Sequence, residues 1–196
     1  SINGGILALM GDDHICESST TSHQSEFAML DAMIPILNPS GVQEILDYGI
    51  YGFELSRLSG CWISIKCVLD NVSSAATVDL DENKVSIVNI DKKLIPQDGL
   101  NIRKNDNAHA KEYRLHYQKL KVVKEFCRVN KLNKYIYNPE KAKIGIVTTG
   151  KSYLDTLQAL EKLEIDETTA KNLGIRLLKI AMPWPLEPTI IEEFSK

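Results

Sequence analysis

The 196-residue chain lacks most of the features that assign a protein to a class at sight. No two of its four cysteines are spaced C-x-x-C, so neither a zinc knuckle nor an iron–sulfur ligand run is written in it. Cys16, Cys61, Cys67 and Cys127 are scattered, as reduced and mostly buried thiols of a cytoplasmic protein would be. There is no surplus of basic residues: the net charge is −3, which argues against general nucleic-acid binding. No apolar run approaches the roughly 18 residues of a membrane span. Residues 1–10 have no basic segment followed by a small-residue cleavage site, so no secretory signal is read. The chain starts at Ser1 without a methionine and stops soon after a helix start, which reads as a segment of something longer.

What is present is an ordinary globular composition, 43% hydrophobic and 25% charged. The chain is organised around residues 4–27. An apolar run, Ile6-Leu7-Ala8-Leu9-Met10, breaks at Gly11 into a segment with Asp12, Asp13, two histidines, Glu17, Glu26 and six hydroxyls, and closes on Phe27. A short buried strand, a polar loop and a helix start form the ligand edge of an open α/β sheet. The pattern alone gives a candidate site and no reaction.

Further along, Phe27, Leu30 and Ile34 have helical spacing, and Ile34-Pro35-Ile36-Leu37 reads as a short strand. Ser40 and Gln43 form a capping box for a helix reaching about Leu58. Its stripe of Val42, Ile45, Gly49, Gly52 and Phe53 implies close packing at both glycines. Cys61 to Leu69 alternates as a strand with one apolar face and one less apolar face, Trp62, Ser64 and Lys66. Thr77 to Ile90 holds a second β region, strongest at Val85-Ser86-Ile87-Val88, with a turn at Asp81-Glu82-Asn83. Residues 91–110 connect. Lys111 to Leu132 is a long helix facing inward through Leu115, Val122, Val123, Phe126 and Val129, its basic residues forming a solvated face. His109 and His116 are surface positions. A second α/β unit begins at Lys143: strand Ile144–Thr148, helix Ser152–Leu163, a short helix after Asp166 ending at Gly174, and strand Ile175–Ala181. Met-Pro-Trp-Pro follows at 182–185, with Trp184 as a packing anchor and a helix restarting near Thr189.

Gly145 to Ser152, GIVTTGKS, satisfies the phosphate-loop expression letter for letter. The context speaks against it. Ile146, Val147, Thr148 and Thr149 stand where the loop would curl, and β-branched residues prefer extended backbone. No strand ending in a magnesium-binding acid follows. Nucleotide hydrolysis is therefore refused.

Six blocks, GGILALMGDDH, SSTTSHQSE, IPILNPSGVQE, SRLSGCW, GIVTTGKSYLD and MPWPLEP, stand in order over nearly the whole chain. Together they resemble indolepyruvate ferredoxin oxidoreductase, especially its long fused form, within the thiamine-dependent 2-oxoacid:ferredoxin oxidoreductases. The resemblance implies an α/β fold: residues 1–78 as the carboxyl half of a pyrimidine-type thiamine-binding open-sheet domain, 79–142 as a connector with a β region and the long helix, and 143–196 as the truncated start of a transketolase C-terminal-like domain. It implies oxidative decarboxylation of an arylpyruvate to an aryl-acetyl-CoA with reduction of ferredoxin. Thiamine pyrophosphate, magnesium and an iron–sulfur cluster would serve the full enzyme, none of them bound completely by this segment. The implied partners are the remaining domains, ferredoxin, coenzyme A, the 2-oxoacid and further copies of the protein. The activating glutamate, the diphosphate motif and the cluster cysteines of that family have no counterpart in the matched blocks.

On the same resemblance, Asp12, His14, Ser18, Ser19, Thr20, His23, Gln24 and Glu26 border the cofactor and substrate pocket. His14 and His23 would donate to a carboxylate or shuttle a proton. Ser18, Ser19 and Thr20 would offer hydroxyls near a helix start, with Gln24 and Glu26 orienting them. Against that stand plainer readings: Asp12 and Asp13 as turn caps, the hydroxyls as helix caps, and His23 with Glu26 as a local pair. A neighbouring 2-oxoacid oxidoreductase and a non-catalytic assembly module are the alternative functions.

Overall fold

A computed structural model describes residues 4–81 and 83–196. It is a mixed α/β structure with two open three-stranded sheets. The first contains β1 (Leu7–Asp12), β2 (Ile36–Leu37) and β3 (Ile63–Val68), all parallel, in the order β1-β3-β2. Between them run α1 (Glu26–Asp31) and α2 (Val42–Ser59), and α3 (Leu69–Val72) follows β3. Parallel neighbours joined through helices are the α/β arrangement expected from the alternation of apolar runs and capped segments.

α2 ends at Gly60, which takes the left-handed conformation (φ 67°) that a helix stop requires. At the other end the expected capping box is shifted. The Ser40 amide and hydroxyl both donate to Glu44, at 2.8 and 2.7 Å, whereas Gln43 turns to Asp47 and Asp79. The two glycines of α2 also differ. A Cβ on Gly52 would lie 2.6 Å from Leu7 Cδ2, and one on Gly49 would meet nothing within 4 Å. Close packing is therefore a property of Gly52 alone, and Phe53 is exposed.

β1 is an edge strand rather than a buried one: Leu9 is 71% exposed, while Met10 and Asp12 face inward. β3 is buried on both faces through Lys66, since Ser64 and Lys66 are as enclosed as Ile63 and Ile65. Being central in its sheet explains this; alternation alone had suggested a wet face.

No strand forms in 77–90 among the described residues; Glu82 of the expected turn lies outside them. Ile87 and Ile90 instead pack on the core from an irregular segment. The long helix is present as three consecutive windings, α4 (Ala108–Tyr113), a wider π turn (Arg114–Lys119) and α5 (Leu120–Val129). The π winding brings residues five apart onto one side. Arg114 and Lys119 therefore both turn inward, the first to Asp106, the second to the Gly60 carbonyl at 2.9 Å. Those two basic residues are not on a solvated face; His109 and His116 are exposed as expected.

The second sheet has the order β4-β6-β5, with β4 (Lys134–Tyr137) antiparallel and β5 (Ile144–Thr149) parallel to β6 (Ile175–Ile180). α6 (Lys151–Lys162), α7 (Glu167–Leu173) and α8 (Pro188–Phe194) complete it. Ile146 to Thr149 are strand, as their branching dictates, and only Gly150 (φ 54°) turns into α6. β4 is an element the sequence reading did not include, though Tyr135, Ile136 and Tyr137 favour extended backbone.

The two sheets are joined by main chain. Beyond β6, Ala181 and Trp184 accept from the Asn38 and Ile36 amides at 2.8 and 2.7 Å, laying residues 181–184 alongside β2. Leu37, Leu55, Ile63, Val122, Phe126, Ala181 and Met182 share one core cluster, so all three expected segments meet in it. At the same seam, buried Lys179 pairs with Glu44, donates to Ser40 at 3.1 Å and lies over the Tyr153 ring at 4.3 Å.

Candidate functional site

The polar loop leaves β1 at the carboxyl end of two parallel strands, where open α/β sheets gather ligands. β1 and β3 pair with Met10 opposite Lys66 and Asp12 opposite Val68. Met10, Asp12 and Lys66 therefore share a sheet face, and the lysine reaches along it to the acid. Asp12 has no exposed side-chain surface. Its Oδ1 accepts from the Ser25 amide at 2.9 Å and the Ser25 hydroxyl at 2.6 Å, and Lys66 Nζ lies 3.5 Å from Oδ2. Glu26, at the head of α1, pairs with the same lysine. His23 Nε2 stands 4.0 Å from Asp12 Oδ1 with half its side chain exposed.

Two carboxylates thus share one cation. Asp12 Oδ2 and Glu26 Oε2 are buried without a hydrogen-bond partner. Buried acceptors of that kind suit an N–H donor or a cationic group. Beside them lies an open depression of about 490 Å³ lined by His14, Ser22, His23, Gln24 and Lys66.

The intervening loop folds on itself. Asp13 accepts from the Glu17, Ser18 and Ser19 amides at 3.0, 2.8 and 2.7 Å and from the Ser18 hydroxyl at 3.3 Å. These donors, the Ser18 amide foremost, hold the Asp13 carboxyl well below the usual carboxylate range. Cys16 supplies the reversal with a left-handed φ of 58°, and the His23 amide closes the loop on the Asp13 carbonyl at 3.1 Å.

The structure therefore brings Asp12, His23 and Glu26 together and places His14, His23 and Gln24 on the depression. It turns the Ser18 and Ser19 amides toward Asp13, and it leaves Thr20 exposed. Asp13 is the turn cap of the plainer reading. The helix begins after Ser25, so residues 18–22 are not its caps, and Glu26 pairs with Lys66 instead of His23. Sequence reasoning missed Lys66 and Ser25. Lys66 carried a signal, a lone charge inside an apolar strand; the hydroxyl of Ser25 did not stand out among its neighbours.

Among the described residues no group of three or more His, Cys, Asp or Glu side chains is arranged to hold a metal ion. All four cysteines are free. Burial pushes the Cys61 and Cys67 thiols up and Cys127 up to about 12. No set of cysteines is gathered among the described residues to ligate an iron–sulfur cluster.

Residues 134–196 match the family model of the indolepyruvate oxidoreductase domain. The match is confined to that carboxyl-terminal stretch of the chain. The stretch carries β4, β5, β6 and the helices between them. Over nearly the whole chain, the protein is similar to curated relatives. The indolepyruvate oxidoreductase subunit IorA of Pyrococcus horikoshii is 28% identical over 98% of this chain and 29% of its own length. The corresponding subunit of Pyrococcus abyssi is 27% identical, and that of Archaeoglobus fulgidus 26% over 97% of this chain. The chain spans less than a third of the length of these relatives. Among solved structures, a 2-oxoglutarate:ferredoxin oxidoreductase from Magnetococcus marinus superposes with a TM-score of 0.53 over 82% of this chain and 33% of its own, at 13% identity. That likeness is one of fold. No described helix is long and apolar enough to cross a membrane.

Proposed function

We propose that this chain is part of a thiamine pyrophosphate-dependent indolepyruvate:ferredoxin oxidoreductase, which converts arylpyruvates to aryl-acetyl-CoA in the cytoplasm and passes electrons to ferredoxin. Its observational support is the similarity to indolepyruvate oxidoreductase subunits over 98% of the chain. In this reading residues 1–78 are half of a pyrimidine-type domain, 79–142 the connector and 143–196 the start of the adjoining transketolase C-terminal-like domain. The remaining parts of the larger enzyme hold the magnesium, the diphosphate and the cluster, and receive coenzyme A.

Thiamine pyrophosphate, when bound, supplies the electron sink for loss of carbon dioxide. The chain's own contribution is a wall. Asp12 and Glu26 hold Lys66 in place beneath the depression, and Lys66, His14, His23 and Gln24 offer donors to the 2-oxoacid carboxylate across it. The fold likeness to a 2-oxoglutarate enzyme favours a second reading, the same chemistry on another 2-oxoacid.

The experiment is Asp12→Asn, Ser19→Ala and His23→Ala in the complete enzyme, with turnover and melting temperature measured together. Removing a donor aimed at developing charge lowers turnover about 100-fold or more. A residue that only holds the loop lowers melting at unchanged turnover. The latter result at all three positions would remove the loop from the site.

A further inference from the structure

We infer that Asn71 is a positioning residue of the candidate site: it pins the carboxyl end of β3 and so holds the Lys66 ammonium beneath the depression. What Lys66 does for a substrate rests on the function proposed above; its tether to Asn71 does not.

The need for such a residue comes from the shortness of β2. Successive residues of a strand turn their backbone groups to opposite neighbours. The Ser64 amide donates to the Pro35 carbonyl at 2.7 Å, so Ser64 faces β2, and Lys66 and Val68 face the same side. β2, however, ends at Leu37, opposite Ile65. In a parallel ladder a carbonyl accepts from the residue one beyond its opposite number. For Lys66 that residue is Pro39, which has no N–H to give. The Asn38 amide is turned to the other edge, where it donates to the Ala181 carbonyl at 2.8 Å. The ladder thus stops one donor short of the lysine, and folded proteins do not leave such backbone groups unpaired.

Asn71, in α3, supplies what Pro39 cannot. Its Nδ2 donates to the Lys66 carbonyl at 3.3 Å and to the Pro39 carbonyl at 3.2 Å, and its Oδ1 accepts from the Val68 amide at 2.9 Å. Only the NH₂ end can donate to two carbonyls and only the oxygen can accept, so the three bonds agree on one orientation of the amide. Asn71 is 1% exposed, which keeps water from competing for them. One side chain therefore stands in for the continuation of β2 and ties the end of β3 to the chain that leaves β2.

Lys66 is the residue this serves. Its side chain, 7% exposed, reaches from the pinned strand end to Asp12 and Glu26, and it lines the depression. A shift of about 1 Å at the strand end would move the ammonium against both acids, and misplacement on that scale by a remote residue can cost up to ~100-fold in turnover.

The test uses the complete enzyme, with Asn71→Ala, Lys66→Met and the double variant. Acylation of lysines by acetic anhydride, read by mass spectrometry, reports the position of Lys66 without any substrate. Asn71→Ala is expected to speed labelling of Lys66 several-fold and to leave Lys119 unchanged, a lysine as buried (8% exposed) that is bound to the Gly60 carbonyl instead. General loosening would speed both. Asn71→Ala is also expected to raise KM for the 2-oxoacid about 10-fold with the smaller change in kcat, as loss of ground-state binding does. The double variant should have the KM of Lys66→Met alone, because Asn71 acts through the lysine. Unchanged Lys66 labelling overturns the inference. So does a KM effect that multiplies with that of Lys66→Met, or a KM raised by Lys66→Met and untouched by Asn71→Ala. An unchanged KM in Lys66→Met refutes instead the role of the lysine in the function proposed above, and the labelling alone then decides for or against Asn71. Should Asn71→Ala not fold, Asn71→Ser is read in the same way, since one hydroxyl donor cannot hold both carbonyls.

Discussion

Replacing Lys66 by methionine is the most searching perturbation of the loop region, because one cation serves two carboxylates there. The Lys66 side chain is 7% exposed and that of Asp12 0%, whereas Glu26 is 26% exposed and partly reached by water. Removing one partner of a buried pair costs about 3–5 kcal/mol, since the other charge stays behind unpaired. Screening at Glu26 places the expected loss at the low end, about 3 kcal/mol. Ser25 still donates twice to Asp12 in the variant, which supports the same end of the range. For a chain of this length each kcal/mol moves Tm by about 2–4 °C, so the loss is roughly 6–12 °C. Urea unfolding followed by far-ultraviolet circular dichroism measures it directly. Adding Asp12→Asn removes the stranded charge and keeps an acceptor for Ser25. The double variant should recover about 1–3 kcal/mol relative to additivity. A Lys66→Met protein melting within about 2 °C of the parent, or a double variant as unstable as the sum of the singles, would refute the reasoning, because each would mean that the cluster is solvated.

The two glycines of α2 should respond with opposite signs. Gly49→Ala gains about 1 kcal/mol of helix propensity in open space, whereas Gly52→Ala must displace Leu7 Cδ2 and loses about 1–2 kcal/mol, both read by urea unfolding. Burial would raise the Glu44 carboxyl, but the hydrogen bond and charge of Lys179 outweigh it and hold it below its ordinary value. Its stabilisation is therefore complete above the unfolded carboxyl range and is lost as pH falls through the lower folded value, so Glu44→Gln should flatten the acid-side decline in stability below about pH 4.5. The exposed apolar residues on and near the open edge of β1, Leu9, Ile15 and Phe27 among them, should drive association of the isolated chain at micromolar concentration by light scattering; a monodisperse monomer would count against an interface there. The isolated chain should not turn over indolepyruvate with thiamine pyrophosphate, magnesium and an acceptor dye, since it spans less than a third of the length of its relatives.

The elements whose signals are local were legible in the sequence. β5, α6, α7 and β6 follow from branched residues, a capped helix and Gly174 in the left-handed region, and all four are found close to the expected bounds. Refusing the phosphate-loop reading of GIVTTGKS rested on the same preference, and Ile146 to Thr149 are indeed strand. What failed depended on tertiary context. Val85-Ser86-Ile87-Val88 has the composition of a strand but no strand partner among the described residues, and without a neighbour's ladder only Ile87 docks on the core while Val88 stays exposed. β4 was missed although Tyr135, Ile136 and Tyr137 favour strands, because a run of four residues is too short to show a period; pairing with β6 makes it a strand.

The loop illustrates a sharper limit. Hydroxyls, acids and histidines can be counted in a sequence, but which acid takes which donor is decided by register. Asp12 and Asp13 are adjacent and chemically alike, yet the alternation of strand β1 sends the first inward to Lys66 and leaves the second at the surface to gather the Glu17, Ser18 and Ser19 amides. A one-residue slip of β1 against β3 would exchange those roles and put Asp13 beside the lysine. The partner that separates the two acids, Lys66, lies 54 residues away from Asp12 on a different strand, and it becomes part of the loop's chemistry only because β3 is central in its sheet and Met10 stands opposite it. The candidate site is thus a consequence of strand pairing first and of the loop's composition second.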